Sequence, residues 1–217
     1  MVAGWDHTAA ELRLWDRAAA GAPWQAVGPP WPATVGRTGL AWGRGLHGAG
    51  APVGRTGPVK REGDGKSPAG LFAIGPAFGY APVPPAGATL PYTVVDPGWR
   101  CVDDPGSAFY NRILDERTVT PDWTSAEAMR RDDRLYTWVV ELGHNAAATP
   151  GGGSCIFLHV WGGADDTTVG CTAMDEGRLA ALIAALDPTA QPVFALLTSA
   201  EYAALATAWR LPPRAPL

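Results

Sequence analysis

Residues 155–161 read Cys155-Ile156-Phe157-Leu158-His159-Val160-Trp161, and six of these seven side chains are apolar or aromatic. A short and nearly continuous apolar run predicts a strand that is buried on both faces. Side chains alternate between the two faces of a strand, so Cys155, Phe157, His159 and Trp161 are expected to share one face. The stretch therefore predicts a histidine near the end of a buried strand, where loops meet.

A glycine–cysteine pair follows this strand in the run Thr168-Val169-Gly170-Cys171-Thr172-Ala173-Met174, with Cys171 twelve positions after His159. The thiolate is the reactive form of cysteine, and a neighbouring imidazole can deprotonate the thiol or hold it as an ion pair. Gly170 permits a tight turn and leaves an unshielded amide that can help to stabilise an oxyanion. The alternative is that Cys171 is a small buried hydrophobic residue, as most free cysteines are.

Three cysteines compete for the role of nucleophile. An extended strand separates Cys155 from His159 by about 13 Å, which makes Cys155 a poor partner for the imidazole. The polar loop at 162–167 is long enough to bring Cys171 back to the histidine. Cys101 and Cys155 could pair as a disulfide and leave Cys171 as the free thiol, and three reduced cysteines are the open alternative.

The segments 153–159 and 168–174, with the upstream segment 57–72, resemble the L,D-transpeptidase catalytic domain, which is also called the YkuD-type domain. That family carries an upstream Thr/Ser-Pro-x-Gly-x-Phe run, a histidine at a strand end, a variable loop, and then Ser/Thr-x-Gly-Cys-x-x-Met/Leu. The resemblance spans residues 36–198 and is most specific around the histidine and the cysteine. It implies that Cys171 is the nucleophile and that His159 is the general base.

The resemblance also implies roles for backbone groups beside these two side chains. The amides of Gly170 and Cys171, with Thr172, would stabilise the oxyanion of the tetrahedral intermediate. The carbonyl of Val160 would orient the histidine, so no carboxylate is needed as a third member. The resemblance implies no metal and no organic cofactor.

Three positions depart from the better-known members, which marks a divergent branch: Val160 stands for a glycine, Val169 for a second histidine and Ala173 for an arginine. The activity implied is a cysteine-dependent L,D-transpeptidase. It would act on peptidoglycan stem peptides through a thioester acyl-enzyme, in cross-linking or D-amino-acid exchange. The alternatives are an L,D-carboxypeptidase, another cysteine peptidase or amidase of the cell wall, and a wall-binding module with weakened chemistry.

Three further residues are candidates for substrate binding. His144 and Asn145 follow a predicted buried strand and precede the flexible segment 151–153, so they either orient substrate amides or satisfy local backbone groups. Trp161 lies beside the proposed site and could line a groove, although core packing is the alternative for any single tryptophan. The four histidines show no metal-ligand spacing, and no metal site is predicted.

The composition favours one β-rich domain. The chain has 217 residues with 27 glycines and 21 prolines, which suit short strands joined by turns. We expect a mainly β fold with a few helices, and the resemblance implies an L,D-transpeptidase-like β-sandwich. A single domain at 1–217 would comprise an N-terminal β extension at 1–45, a catalytic core at 46–198, and a C-terminal helix and tail at 199–217.

Charge and hydropathy limit the classes of partner and the location expected for this chain. The formal net charge is −4, without the basic stripe of a nucleic-acid-binding protein. No apolar stretch is long enough to span a bilayer. The N-terminal residues lack the pattern of a signal peptide. Because the substrate that the resemblance implies lies outside the cytoplasm, we expect a location in the periplasm or cell envelope with the leader absent from this sequence. The oligomeric state is left open.

Periodicity and turn signals predict the main elements. Two helices are expected, one at 176–186 capped by Asp175 and one capped by Ser199 that runs to about residue 209. A third short helix is expected at 126–131 after Thr124 and Ser125. Residues 76–91 are expected to be loop, and Pro29-Pro30 a turn between two strands. The remaining strands are expected near 12–15, 24–28, 31–35, 69–74, 92–95, 135–142, 155–161 and 192–197.

Overall fold

A computed structural model describes residues 1–213, and these form a mainly β fold with two short α-helices, as the composition predicts. The C-terminal segment predicted at 199–217 therefore extends past the described residues at 214–217. The strands, in chain order, are β1 Ala9–Asp16, β2 Gln25–Thr34, β3 Leu40–Trp42, β4 Arg44–Gly45, β5 Gly48–Ala49, β6 Ser67–Gly79, β7 Tyr92–Val94, β8 Trp99–Val102, β9 Ile113–Asp115, β10 Ala126–Ala128, β11 Val139–Leu142, β12 Phe157–Val160, β13 Thr172–Met174 and β14 Val193–Leu196. The helices are α1 Glu176–Ala185 and α2 Ser199–Leu205, with 3-10 turns at Glu116–Thr118 and Pro188–Ala190.

Nine strands form the main sheet. Seven of them follow the hydrogen-bonded path β1-β2-β13-β12-β11-β6-β14, and β3 and β7 pair with β6 off this path. Strand β12 lies inside this sheet, antiparallel to β11 and parallel to β13. All four residues of β12 are buried, in agreement with its continuous apolar sequence. Strand β2 pairs with β13, so the N-terminal segment 1–45 contributes strands to the same sheet as the segment 46–198.

The 13-residue strand β6 pairs with four other strands on one side of the main sheet. It pairs with β11 and β14 in antiparallel fashion and with β3 and β7 in parallel fashion. A strand this long twists and curves along its length, so its successive partners lie on different parts of a curled sheet.

Prolines lie inside two strands where loops or turns were expected. The predicted turn at Pro29-Pro30 is wrong, because β2 runs through it, and the predicted loop at 76–91 begins only after β6 ends at Gly79. In β2 the pairing register shifts at Pro29-Pro30, between the partners of Leu12 and Leu14. In β6 it shifts at Pro76, between the partners of Val140 and Leu142. Bulges tolerate proline because the extra residue needs no ladder hydrogen bond.

The helix predicted at 126–131 is also wrong, because β10 occupies its first three positions and pairs with β8. The amide and hydroxyl of Thr124 both donate to Asp104 Oδ2, at 2.7 and 2.8 Å, and so the threonine caps no helix. Together β10, β8 and β9 form a three-stranded sheet, called here the cover sheet. Long-range strand pairing has overridden a local helix signal.

The two C-terminal helices confirm the periodicity argument with small changes at their ends. Asp175 caps α1, accepting hydrogen bonds from the amides of Gly177 at 2.9 Å and Arg178 at 3.2 Å. The cap of α2 is Thr198 rather than Ser199, and this helix ends at Leu205, about one turn before the predicted end. Helix α1 packs against β12 and buries Leu179 and Ile183.

The main sheet separates two apolar clusters. The larger, called the main core, contains Leu158, Val160 and Met174 together with the buried faces of α1 and α2. The smaller, called the Cys171 cluster, lies on the other side beneath the cover sheet. Its buried members are Phe78, Val95, Cys101, Met129, Tyr136, Val139, Cys155, Phe157 and Cys171. Within the described part of the chain, neither helix has the length and apolar character needed to cross a bilayer.

The cap of α1 gives a test of how the helix is attached to the sheet. Asp175→Ala removes both hydrogen bonds to the first turn, and we expect the free energy of unfolding to fall by about 1 kcal/mol in urea denaturation. Asp175→Asn is the matched control, because an amide oxygen still caps. Equal losses in the two variants would contradict the assignment of the cap.

Candidate active site

The pairing of β12 with β13 sets the position of Cys171. Leu158 lies opposite Thr172 and His159 opposite Ala173, so the residue just before β13, Cys171, lies opposite Phe157. Alternation turns Leu158 towards the main core and turns Phe157, His159 and Cys171 to the other side of the sheet. His159 and Cys171 are therefore diagonal neighbours on adjacent strands, with α-carbons about 8 Å apart.

Gly170 allows the sharp bend that delivers Cys171 to β13. Its φ is +154°, and a β-carbon at this position would approach Ile156 Cδ1 and the Lys66 carbonyl oxygen at 3.2 Å. A side chain would be strained by the backbone and crowded by its neighbours. The Cys171 carbonyl then accepts hydrogen bonds at 2.7 Å from Ser67 Oγ and Thr168 Oγ1, so the bend is held from both sides.

The side chain of His159 is oriented by the backbone. Its Nδ1 lies 2.7 Å from the Val160 carbonyl oxygen, the contact that the resemblance implies. A carbonyl can only accept, so Nδ1 carries the proton and the neutral ring keeps its lone pair on Nε2. The ring also packs edge-on against Tyr136, with centroids 5.2 Å apart. This arrangement leaves Nε2 as the nitrogen that can accept a proton.

The sulfur of Cys171 is enclosed. The residue is 3% exposed, and its Sγ accepts from the Phe157 amide at 3.4 Å and donates to the Cys155 carbonyl at 3.5 Å. Cys155 is joined to Cys101 of β8 by a disulfide, and Cys171 is the free cysteine. The pairing left open by the sequence thus ties the cover sheet to the segment just before β12, directly over the thiol.

Burial keeps both reactive groups neutral. It raises the pKa of the Cys171 thiol to about 12, aided by the Glu127 carboxylate and opposed by the Phe157 amide. Burial also lowers the pKa of His159 to about 4, although the hydrogen bond to Val160 favours the protonated ring. Desolvation outweighs the local contacts in both cases, so a thiol and a neutral imidazole, rather than an ion pair, are present at pH 7.

Two polar side chains that the sequence did not single out influence the ionisation of the thiol. The buried Tyr136 hydroxyl donates to Glu127 Oε1 at 2.5 Å, and the Tyr136 ring lies in the Cys171 cluster. Burial raises the pKa of Glu127. Tyr136 lies within the run 135–142 that was predicted to be a buried strand, of which only Val139–Leu142 form β11. Glu127 lay in the segment predicted to be a helix.

The predicted oxyanion donors are differently engaged. The Gly170 amide donates to Thr168 Oγ1 at 3.1 Å, so it is occupied in this conformation. Thr172 is the first residue of β13 and takes part in the ladder with β12. Of the backbone groups named from the sequence, the Cys171 amide lies nearest the sulfur by covalent geometry, since it belongs to the nucleophile itself.

The predicted substrate residues His144 and Asn145 are buried and hydrogen bonded to the backbone. His144 Nδ1 accepts from the Arg44 amide at 3.3 Å, and its Nε2 lies 3.0 Å from the Gly152 carbonyl. Asn145 Nδ2 donates to the carbonyls of Thr149 and Gly153, at 2.9 and 3.0 Å. These contacts favour the second alternative given above, in which the two residues hold the loop at 144–153.

Residues at the rim of the site are more exposed. Trp161 follows β12 directly and is partly exposed, and its amide donates to the Met174 carbonyl at 2.9 Å. The Arg131 guanidinium lies 5.2 Å from the centroid of the Tyr136 ring and forms a 2.7 Å ion pair with Asp133. An indole and a paired arginine therefore lie close to the buried histidine and tyrosine.

A groove of about 560 Å³ lies elsewhere, where the turn after β1 meets the end of α2. It is lined by Arg17, Trp24 and Tyr202, among others, and shares no residue with the Cys171 cluster. Within residues 1–213, no group of three or more His, Cys, Asp or Glu side chains is placed to hold a metal ion.

Comparison of the chain with protein-family models, with curated proteins and with solved structures finds no match.

The buried histidines give a pH prediction. The unfolded chain takes up protons at His159 and His144 near pH 6.5, whereas the pKa of each folded histidine is lowered to about 4. The stabilisation is complete above pH 6.5 and is lost as the pH falls towards 4, by about 1.4 kcal/mol per pH unit for each histidine. Urea denaturation at several pH values in this range gives the free energy of unfolding as a function of pH. The slope of that plot should be shallower for His159→Gln than for the wild type. Equal slopes would contradict the buried neutral ring.

Proposed function

We propose that this chain is a cysteine acyltransferase of the L,D-transpeptidase type that acts on peptidoglycan stem peptides. One observation carries the proposal: His159, oriented by the Val160 carbonyl at 2.7 Å, lies diagonal to Cys171 on the same face of adjacent strands. The motif resemblance around these residues supplies the substrate class. An oriented imidazole beside a thiol on a glycine turn is the arrangement that nucleophilic cysteine catalysis needs.

Acylation would begin with transfer of the Cys171 proton to His159 Nε2. The sulfur attacks the carbonyl carbon of the donor peptide bond, and the negative charge moves to its oxygen beside the Cys171 amide. The carbon–nitrogen bond then breaks, and the proton on His159 passes to the departing amine. The products are a thioester on Cys171 and a released D-amino acid.

Deacylation would reverse these roles. An acceptor amine loses a proton to His159 Nε2 and attacks the thioester carbon. The carbon–sulfur bond breaks, the sulfur recovers the proton, and a new amide forms. Water in place of the amine would give a shortened stem peptide, which is the L,D-carboxypeptidase outcome.

The neutral resting state bears on how the site would work. A thiol with a pKa of about 12 beside an imidazole with a pKa of about 4 holds very little thiolate at pH 7. The thiolate would therefore form only transiently during acylation, when His159 takes the Cys171 proton. The cover sheet must also move to admit a peptide, because Cys171 is 3% exposed.

The disulfide supports a location in the cell envelope. A Cys101–Cys155 bond is expected to form and persist in an oxidising compartment such as the periplasm. The proposed substrate lies in that compartment. The disulfide and the substrate class thus agree with each other.

A wall-binding module with weakened chemistry is the second candidate, and burial of the thiol favours it. A sulfur that is almost fully enclosed and has a raised pKa is the state typical of an unreactive cysteine. Both functions require binding of peptidoglycan, but only the acyltransferase would convert it to product.

Turnover of a tetrapeptide-bearing muropeptide would distinguish the two. We expect the purified protein to release the terminal D-amino acid and to give cross-linked dimer or tripeptide, detected by mass spectrometry. Cys171→Ala should lower the rate by at least about a thousandfold, because the covalent route is lost. His159→Ala should lower it by about a hundredfold or more.

Arg17→Ala, in the remote groove, is the matched control and should leave the rate unchanged. Binding of muropeptide without any product would support the binding module. Product formed equally well by Cys171→Ala would overturn the proposal.

A further inference from the structure

The segment that follows β5 carries a buried lysine beside the bend that holds Cys171. The Lys60 side chain is 3% exposed, and its Nζ donates to Asp64 Oδ1 at 2.5 Å and to the Arg61 carbonyl at 2.8 Å. An ammonium group has three donors, so these two contacts leave one more. A buried cation of this kind is costly unless it is paired, and Asp64 is its partner here.

The position of this amine is defined by two glycines. A β-carbon at Gly170 would lie 3.9 Å from Lys60 Nζ, and one at Gly153 would lie 3.1 Å from its Cε and Cγ. The lysine stem thus packs against Gly153 and points its charge at the residue before the proposed nucleophile. Asp64, by contrast, faces its own loop and accepts from the amides of Arg61 at 2.8 Å and Lys66 at 2.9 Å.

We propose that Lys60 is a charge-compensating residue that stabilises the thiolate of Cys171, through its buried ammonium beside Gly170. This inference rests on the proposed function, in which that thiolate forms during acylation. The charge acts across Gly170, where an added β-carbon would lie 3.9 Å from the amine. One positive charge near a buried thiol changes the ionisation of that thiol by a factor of about ten or more.

Other charged and titratable groups also face the sulfur. Glu127 of β10 disfavours the thiolate, whereas Lys60 and the Tyr136 hydroxyl favour it. His159 of β12 is neutral in the folded protein at pH 7, since burial lowers its pKa to about 4. Lys60 thus opposes the effect of Glu127 on the sulfur, whereas Arg131 pairs with Glu127 itself, its Nη1 4.0 Å from Glu127 Oε1.

Alkylation of Cys171 by iodoacetamide tests this role without any peptidoglycan. Below the pKa of the thiol, the alkylation rate follows the thiolate fraction, so its logarithm rises with pH. We expect Lys60→Met to be about tenfold slower than the wild type at each pH, with a parallel profile. Circular dichroism and intact-mass analysis would establish that each variant is folded and singly labelled.

Lys66→Met is the matched control, because it removes the same charge from the same loop. Its amine contacts the Thr38 carbonyl and Asp6 instead of the bend at Gly170, so its rate should equal that of the wild type. Lys60→Met/Asp64→Asn removes both charges of the buried pair. It should remain slower than the wild type, which excludes an orphaned Asp64 carboxylate as the cause.

If Lys60 had a purely structural role, its removal would change the alkylation rate of Cys171 in the opposite direction. Loosening of the bend would expose the sulfur and speed alkylation, so faster or unchanged labelling in Lys60→Met and in the double variant would overturn the proposal. The outcome is independent of turnover. Slower alkylation in a protein that releases no D-amino acid would support the role of Lys60 while contradicting the proposed enzymatic function.

Discussion

The parallel pairing of β12 with β13 is the constraint on which the candidate site depends. Leu158 opposite Thr172 fixes the register, and a shift by one residue would turn Cys171 into the main core and away from His159. The register is specified because both faces of the sheet are buried by different clusters. The same ladder that stabilises the fold therefore defines the distance between sulfur and imidazole.

Burial has two opposed effects on this site. It orders the side chains, because Tyr136 packs on His159 within the Cys171 cluster, and it removes the solvent that would stabilise a thiolate. The disulfide fixes the cover sheet to Cys155, so the enclosure is covalent on one side. A thiol stored in the neutral form is protected from oxidation and would become reactive only when a bound carbonyl accepts the developing charge.

The local sequence predicted features that depend on neighbouring residues, but it did not predict those that depend on contacts between distant segments. Alternation along a buried strand and the glycine before Cys171 predicted which side chains share a face, and the Asp175 cap follows from its own helix. Tyr136 and Glu127 influence the ionisation of Cys171 only through pairing between segments far apart in the chain. For the same reason β10 was mistaken for a helix, since its partner β8 is remote in sequence. The bulge that accommodates Pro76 likewise depends on the partner strand β11.

The most direct measurement is the intact mass of the protein during incubation with a tetrapeptide donor, followed by mapping of any adduct. The account predicts an increase equal to the donor minus its terminal D-amino acid, located on Cys171 and removed by an acceptor amine. The adduct should be absent from Cys171→Ala and should accumulate more slowly in His159→Ala. An adduct on another residue, or turnover of the donor without any adduct on Cys171, would contradict it.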